Sequence, residues 1–293
     1  MKTLRMVTLL LLWCATPAMA AQQVFPTPDA AVVGLIQAVM SDGPNRMAQV
    51  LGPDAKAILQ SGDKVADKNA RLRFLNYARQ RAFLVPVGKT RMMLQLGRSK
   101  WPFPIPIDKK GNSWYFNTPV GKNELLNRRV GRNELAAIQF CHQFVDAERA
   151  YAVIAGGGAY ATRFLSTQGT RDGLYWPLTA DGPASPLEEV VAAARKEGYT
   201  GQHGAPIHGY HVKILDAQGG NAPGGACSYL VDGKLKKGFA LVAWPAKYRN
   251  SGVMTFVVNQ LGIVYEKDLG KNSAAVAAAM TTYNPDNTWK VVP

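Results

Sequence analysis

Residues 127–155, NRRVGRNELAAIQFCHQFVDAERAYAVIA, form the longest amphipathic stretch of the chain and lie near its middle. Leu135, Ile138, Phe140, Phe144, Ala147 and Tyr151 recur at spacings of two to four, the mostly helical rhythm that gathers apolar groups on one side. Asn133, Glu134, Gln139, Gln143, Asp146 and Arg149 fill polar positions elsewhere on the wheel. Gly156, Gly157 and Gly158 follow at once, and glycine just past an apolar run ends a helix. The sequence therefore predicts a central helix, a folded unit before it and a sheet after it that packs against it.

The first 20 of the 293 residues carry a targeting pattern. Lys2 and Arg5 are the charged start, residues 7–13 the apolar middle, and Ala18-Met19-Ala20 an A-x-A cleavage signal. The apolar run is too short to span a bilayer, and bulky Trp13 before Cys14 is wrong for lipid attachment. The expectation is a signal peptide at 1–20 and an exported periplasmic or secreted chain with no later transmembrane span. Subtracting 20 from 293 leaves 273 residues, enough for two domains, placed at 21–126 and 127–293. Removing Lys2 and Arg5 takes the formal charge from +14 to +12. The basic clusters are Arg71/Arg73/Arg79/Arg81, Arg128/Arg129/Arg132 and Lys234/Lys236/Lys237. None is interleaved with stacking aromatics, which argues against nucleic acid and for a solvated face drawn to anionic lipid, glycan or cell-wall polymer.

Ahead of the central helix, Thr27 and Pro28 suit the cap and first turn of a helix that buries Ala31, Val32, Leu35, Ile36 and Val39. Short helices follow at 45–51 and 54–60. A longer one is expected at 64–83, with Val65, Leu72, Leu75 and Phe83 inward. A strand is expected at 90–96. In the run Trp101 to Ile107 every second residue is proline, which belongs at a sheet edge or in a polyproline-like segment. A return strand at 113–116 closes a small hairpin sheet, and 121–126 reads as a connector. After the glycines, a helix is expected at 187–197. Strands follow at 209–217, 238–245, 251–258 and 262–267, with turns at Asp232-Gly233 and Gln260-Leu261-Gly262, then a helix at 274–280. The fold class is α+β: N-terminal helices with a small antiparallel hairpin sheet, then the central helix on an antiparallel meander.

The segments WPFPIPIDKK (101–110), LNRRVGRNELAAI (126–138), GLYWP (173–177), HGY (208–210) and GFALVAWPAKYRNSGVMTFVVNQLGIVYEKD (238–268) resemble the domain-of-unknown-function 2950 family of exported bacterial proteins. The resemblance spans essentially the whole mature chain and implies export in a Gram-negative-type bacterium. It brings no established activity. The order of helix, glycine loop, small helix and meander also looks like the globular part of type IV pilins and pseudopilins. Pilins carry an apolar anchoring helix where this chain has Asn127, Arg128 and Arg129, so assembly into a fibre by that route is not implied. The N-terminal half is loosely similar to the cystatin or nuclear-transport-factor type of α+β fold.

Several constellations could carry chemistry. His203, His208 and His211 could offer imidazoles to a metal, but their spacing puts His208 and His211 on opposite sides of an extended chain. No metal site and no cofactor are expected. Asp146 and Glu148 diverge around the helix axis, so salt bridges to Arg149 or a sheet lysine suit them better than paired acid–base work. Arg128, Arg129 and Arg132 with Glu134 read as an interdomain ion network or as an anion site. Ser251 lacks a nucleophile-elbow context. Tyr175, Trp176, Tyr210, Trp244 and Tyr248 sit at expected element ends and could contact a glycan or peptide, or fill the junction of helix and sheet. In an oxidising compartment Cys141 and Cys227 can bridge, or remain two buried thiols. The functional expectation is a non-catalytic envelope protein binding an envelope protein or anionic envelope polymer. The alternative is a cell-envelope hydrolase using His203, His208 and His211.

Overall fold

Thr27 and Pro28 start the first helix for the reasons the sequence offers. The Thr27 hydroxyl accepts the Ala30 N–H at 3.1 Å, and Pro28 has no N–H to leave unpaired in the first turn. In this computed structural model, which describes residues 21–179, 182–201 and 204–292, α1 (Pro28–Met40) leads into α2 (Pro44–Leu51), α3 (Ala55–Leu59) and α4 (Lys64–Gln80). The expected signal peptide and His203 lie outside the described residues. The helices pack on an antiparallel sheet of β1 (Ala82–Pro86), β2 (Arg91–Leu96), β3 (Trp101–Pro102), β4 (Ile107–Lys110) and β5 (Ser113–Phe116). The order is β1-β2-β4-β5, with β3 also on β2. β3 pairs only with β2, where Gln95 faces Pro102, so Pro102 occupies an edge, while Pro104 and Pro106 lie outside the strands in the link to β4. Phe103, Ile105 and Ile107 from that run point into the first core, beside Leu35, Leu94 and Phe116.

Two expectations for α4 need correcting. The helix stops at Gln80, and Phe83 belongs to β1. Leu72 is exposed, while Phe74, Leu75, Tyr77 and Ala78 pack on the core. Two positions along a helix turn the side chain most of the way to the opposite side, so Leu72 and Phe74 cannot share a face.

The central helix, α5 (Thr118–Ile154), is 37 residues long and begins well before residue 127. Residues 121–126 are helix, not connector. Pro119 fits the first turn, and Gly121 is a point of contact rather than a break. A Cβ on Gly121 would lie 2.6 Å from the Ile105 Cα and closer still to the Pro104 carbonyl oxygen. Thr118 donates its hydroxyl to the Leu51 carbonyl at 2.5 Å, and Lys122 pairs with Asp54 at 2.9 Å. Further along, the buried stripe runs through Ala137, Cys141, Phe144, Glu148 and Tyr151. Leu135, expected inward, is 69% exposed, because the stripe has a different phase.

After α5 come α6 (Glu188–Glu197), β6 (Tyr210–Leu215), β7 (Ala217–Gln218), β8 (Cys227–Ser228), β9 (Leu230–Val231), β10 (Lys234–Leu235), β11 (Ala240–Pro245), β12 (Thr255–Asn259) and β13 (Tyr265–Lys267). A short 3-10 turn, α7 (Ser273–Ala279), β14 (Thr282–Tyr283) and β15 (Lys290–Val291) close the chain. The main sheet has the order β15-β13-β12-β11-β6 with every pair antiparallel, the expected meander. α5 lies on β11 and β12. Phe144 meets Phe239 edge-on at 5.6 Å in the second core. The architecture is thus α+β, with two apolar cores sharing one helix: the first drawn from residues 25–116 with Leu125 and Leu126 against it, the second from residues 137–283. Among the described residues no helix is long and apolar enough to cross a membrane.

The close approach at Gly121 has a direct test. Gly121→Ala should lower stability by ~1–3 kcal/mol, because rigid backbone on both sides must move. Gly131→Ala on the same helix meets nothing within 4 Å and should raise stability by up to ~1 kcal/mol. Thermal unfolding of the two variants checks the pair. Equal shifts of the same sign would remove the packing explanation.

Candidate functional site: a polar seam between the two cores

Asp63 caps α4, and its Oδ1 accepts the Ala66 N–H at 2.9 Å. It is also buried, and its Oδ2 reaches across to the second half of the chain. There it accepts the Tyr199 hydroxyl at 2.8 Å and the Gly209 N–H at 2.9 Å. The Tyr199 oxygen in turn accepts the His208 N–H at 3.0 Å. Burial, then the bond to Asp63, pushes the Tyr199 phenol above its usual range. Ile207 and Tyr210 exchange two backbone hydrogen bonds at 2.9 and 3.0 Å around His208-Gly209. These two residues have φ of 49° and 78°. That is a two-residue hairpin turn of the kind that needs positive φ at both positions. At 209 only glycine fits, since a Cβ would meet the Asn133 amide and lie 3.0 Å from the Ser251 Cβ.

A second band of contacts runs along α5. Arg129 donates to the Ala57 and Ile58 carbonyls at the end of α3 and to the Asn250 side chain. Burial, opposed by the pull of Asp67 and aided by like charge from Arg132, holds its pKa below the ordinary arginine value. The Asn250 amide donates to the Ala57 carbonyl at 2.8 Å, and the Asn133 amide to the Ser251 carbonyl at 2.8 Å. Glu134 takes two backbone N–H groups, from Val253 at 2.8 Å and Met254 at 3.0 Å. Ser251 is buried, and its oxygen accepts the Lys247 N–H at 2.9 Å within a tight turn.

The histidines part company. His208 places Nε2 2.9 Å from Glu197 Oε2 at the rim of the seam. His211 stacks on Trp244 with ring centroids 5.6 Å apart, and burial lowers its pKa. Among the described residues no three His, Cys, Asp or Glu side chains converge as a metal set. The aromatic candidates divide too. Tyr175, Trp176 and Tyr210 are buried in the second core, with the Trp176 N–H on the Pro183 carbonyl at 3.0 Å and the Tyr210 hydroxyl on the Met254 carbonyl at 2.9 Å. Trp244 and Tyr248 are half-buried, and Tyr248 donates to Asp268 at 3.1 Å. A concavity of about 180 Å3, lined by Val257, Met280, Thr282, Asn284, Pro285 and Trp289, involves none of the expected binding residues.

The arginine triplet also splits. Arg128 pairs with Glu124 at 2.7 Å and lies over the Trp101 ring at 5.6 Å. Arg132 has partial burial, then Arg73 and Arg128, lowering its pKa. Cys141 and Cys227 are free thiols, and burial raises Cys141 to about 12. Asp146 pairs with Arg149 at 3.7 Å as expected. Glu148 does not: it is 0% exposed, Oε2 accepts the Ala161 N–H at 2.8 Å, and Oε1 has no partner. Desolvation pushes its pKa up to about 8 against that one hydrogen bond. Sequence reasoning missed Asp63 and Tyr199, and it assigned Glu148 to a salt bridge that the fold does not make. Only Asp63 had a local signal, an aspartate just before an apolar-periodic run.

Two cores joined by a hydrogen-bonded seam on a shared helix define an α+β protein whose halves are clamped together. The sequence matches the family described as "Protein of unknown function (DUF2950)" over residues 22–292, and the chain belongs to that family. No curated protein and no solved structure matches it, so the pilin likeness gains no support.

Asp63→Ala removes a helix cap and strands a buried hydroxyl and N–H, and should cost ~2–4 kcal/mol in urea unfolding. A loss below ~1 kcal/mol would show that the seam does not depend on it. Glu148 makes a pH prediction. Between the ordinary 4.5 and about 8 the folded chain holds a proton that the unfolded chain releases. Stability therefore falls as pH rises through that window, by at most ~5 kcal/mol. Glu148→Gln should lose this dependence, so its advantage over the native chain grows from about pH 5 to about pH 9. Stability curves that stay parallel across the range would place the carboxyl in contact with water.

Proposed function

We propose that the protein is an exported, non-catalytic component of the cell envelope that binds or assembles with another envelope component, an envelope protein or an anionic envelope polymer. The observation that carries this reading is how the chemistry-bearing side chains are used. Asp63, Tyr199, Arg129, Asn133 and Glu134 are spent holding one half of the chain to the other. The expected aromatics Tyr175, Trp176 and Tyr210 are spent in the core. Export is supported by the pattern of residues 1–20, and an anionic partner by the basic surplus that remains without it. Neither a cofactor nor nucleic acid enters this reading.

One contact favours the hydrolase reading built on His203, His208 and His211. Glu197 lies 2.9 Å from His208, and a carboxylate beside an imidazole is how a general base is oriented. Element analysis of the purified mature chain separates the two. Well under one equivalent of zinc is expected, unchanged by His208→Ala/His211→Ala. Stoichiometric zinc that the double variant abolishes would replace the binding reading with the metal-dependent one.

A further inference from the structure

α4 carries Lys64, Lys68, Arg71, Arg73 and Arg79 against a single acid, Asp67. Its arginines do not have equal surroundings. Arg71 is neutralised by Asp42 at 2.8 Å. Arg73 is not: among the described residues no carboxylate lies within 4.0 Å of Arg73 or of Arg132. The fold brings these two cations together. Tyr77, one turn after Arg73, lies against Trp101 at 6.3 Å. Arg128, one turn before Arg132, lies over the same Trp101 at 5.6 Å. Trp101 thus ties α4 to α5, and Arg73 and Arg132 are next along the two helices from that tie. Burial, then repulsion from Arg73, holds the Arg132 pKa below the ordinary arginine value. Arg73 and Arg132 both lie at the surface, with the Arg132 guanidinium partly sheltered.

Like charges gathered without a counter-charge repel, and the repulsion is relieved when an anion bridges them. Guanidinium groups in a fork geometry suit oxyanions that can accept from two donors each. A phosphate offers more acceptor oxygens and more charge than a carboxylate. Arg128 flanks the pair, with its own charge met by Glu124 at 2.7 Å and an N–H on the Pro102 carbonyl at 3.1 Å. Arg129 is taken up by the Ala57 and Ile58 carbonyls of α3 and takes no part.

We propose that Arg73 and Arg132, drawn together by Trp101 between α4 and α5, form a binding site for phosphate groups of an envelope lipid or polymer. The proposal rests on the reading of the protein as an envelope-binding component and names the ligand chemistry and the site. Phosphate esters come from two sources, lipid headgroups and soluble phosphate polymers, and the test separates them.

The experiment measures binding of the mature chain to phosphatidylglycerol-containing vesicles, to phosphatidylcholine vesicles and to soluble long-chain polyphosphate. Arg73→Gln/Arg132→Gln should weaken binding by about tenfold or more. Lys234→Gln/Lys236→Gln removes the same charge elsewhere and should weaken it by less than about threefold. Arg73→Lys/Arg132→Lys keeps the charge, loses the planar fork and should fall between them. Unfolding midpoints of all variants confirm that the fold is intact. Binding to anionic vesicles alone assigns the site to a lipid headgroup. Binding to polyphosphate alone assigns it to a soluble phosphate polymer, and both together leave the shared chemistry. Equal losses in the two glutamine variants, or no binding to either anionic probe, overturn the site. Neither result bears on the zinc measurement, so the binding reading can survive the loss of this site.

Discussion

A single helix has to satisfy two cores, and that constraint shapes the rest. At about 1.5 Å per residue, 37 residues of α5 extend for about 55 Å. Neither core alone can cover such a length. The first turns are covered by the helices and sheet of residues 25–116, the last by the meander. Between them α5 presents Arg129, Asn133 and Glu134, whose partners are backbone groups from both sides. Apolar burial stabilises each core separately. The seam fixes how the cores are oriented. A satisfied hydrogen bond contributes only about 1 kcal/mol net, but a buried donor left unmet costs more. The seam therefore acts mainly by penalising every other arrangement.

Two buried carboxyl groups show what the surroundings decide. Asp63 meets three donors, two of them from the far half of the chain. Glu148 meets one, and its second oxygen has no hydrogen-bond partner. In Glu148 desolvation outweighs the single hydrogen bond, and the group holds its proton at neutral pH. A neutral acid in an apolar stripe behaves almost as one more core residue, which is why an interruption at Glu148 does not break the packing of α5 on the meander.

Local chemistry was legible in the sequence and long-range contact was not. The Thr27 cap, the meander and the turn at Asp232-Gly233, with φ of 51° and 73°, depend on residues next to one another. The start of α5 was hidden because Gly121 looks like a breaker, while its reason is the backbone of Pro104 and Ile105. The helical period was right and its phase wrong: the sheet, not the helix, selects Glu148 over Leu135 for burial. The Asp63–Tyr199 bond joins residues 136 apart, and nothing near either one announces it. At Tyr175 and Trp176 the sequence allows either a ligand contact or a filling of the junction between helix and sheet, and the fold uses both in the second core. The only strand pairing there among the described residues is a single bridge from Leu165 to Tyr175.

The triplet Arg128, Arg129 and Arg132 shows why adjacency in sequence is a poor guide to an anion site. On the helix Arg132 neighbours both of the others, yet each of the three meets a different environment. Arg129 is saturated by carbonyls and cannot also hold a ligand. Arg128 is shared between a carboxylate and an aromatic face. Arg91, far away in sequence, has its charge spent on Asp108 at 2.7 Å. What distinguishes Arg132 is the absence of such a partner among the described residues together with the nearness of Arg73. A protein gains nothing for its own stability by holding two guanidinium groups together. Where the fold does so, through Trp101, the charge that balances them is most economically supplied from outside the chain.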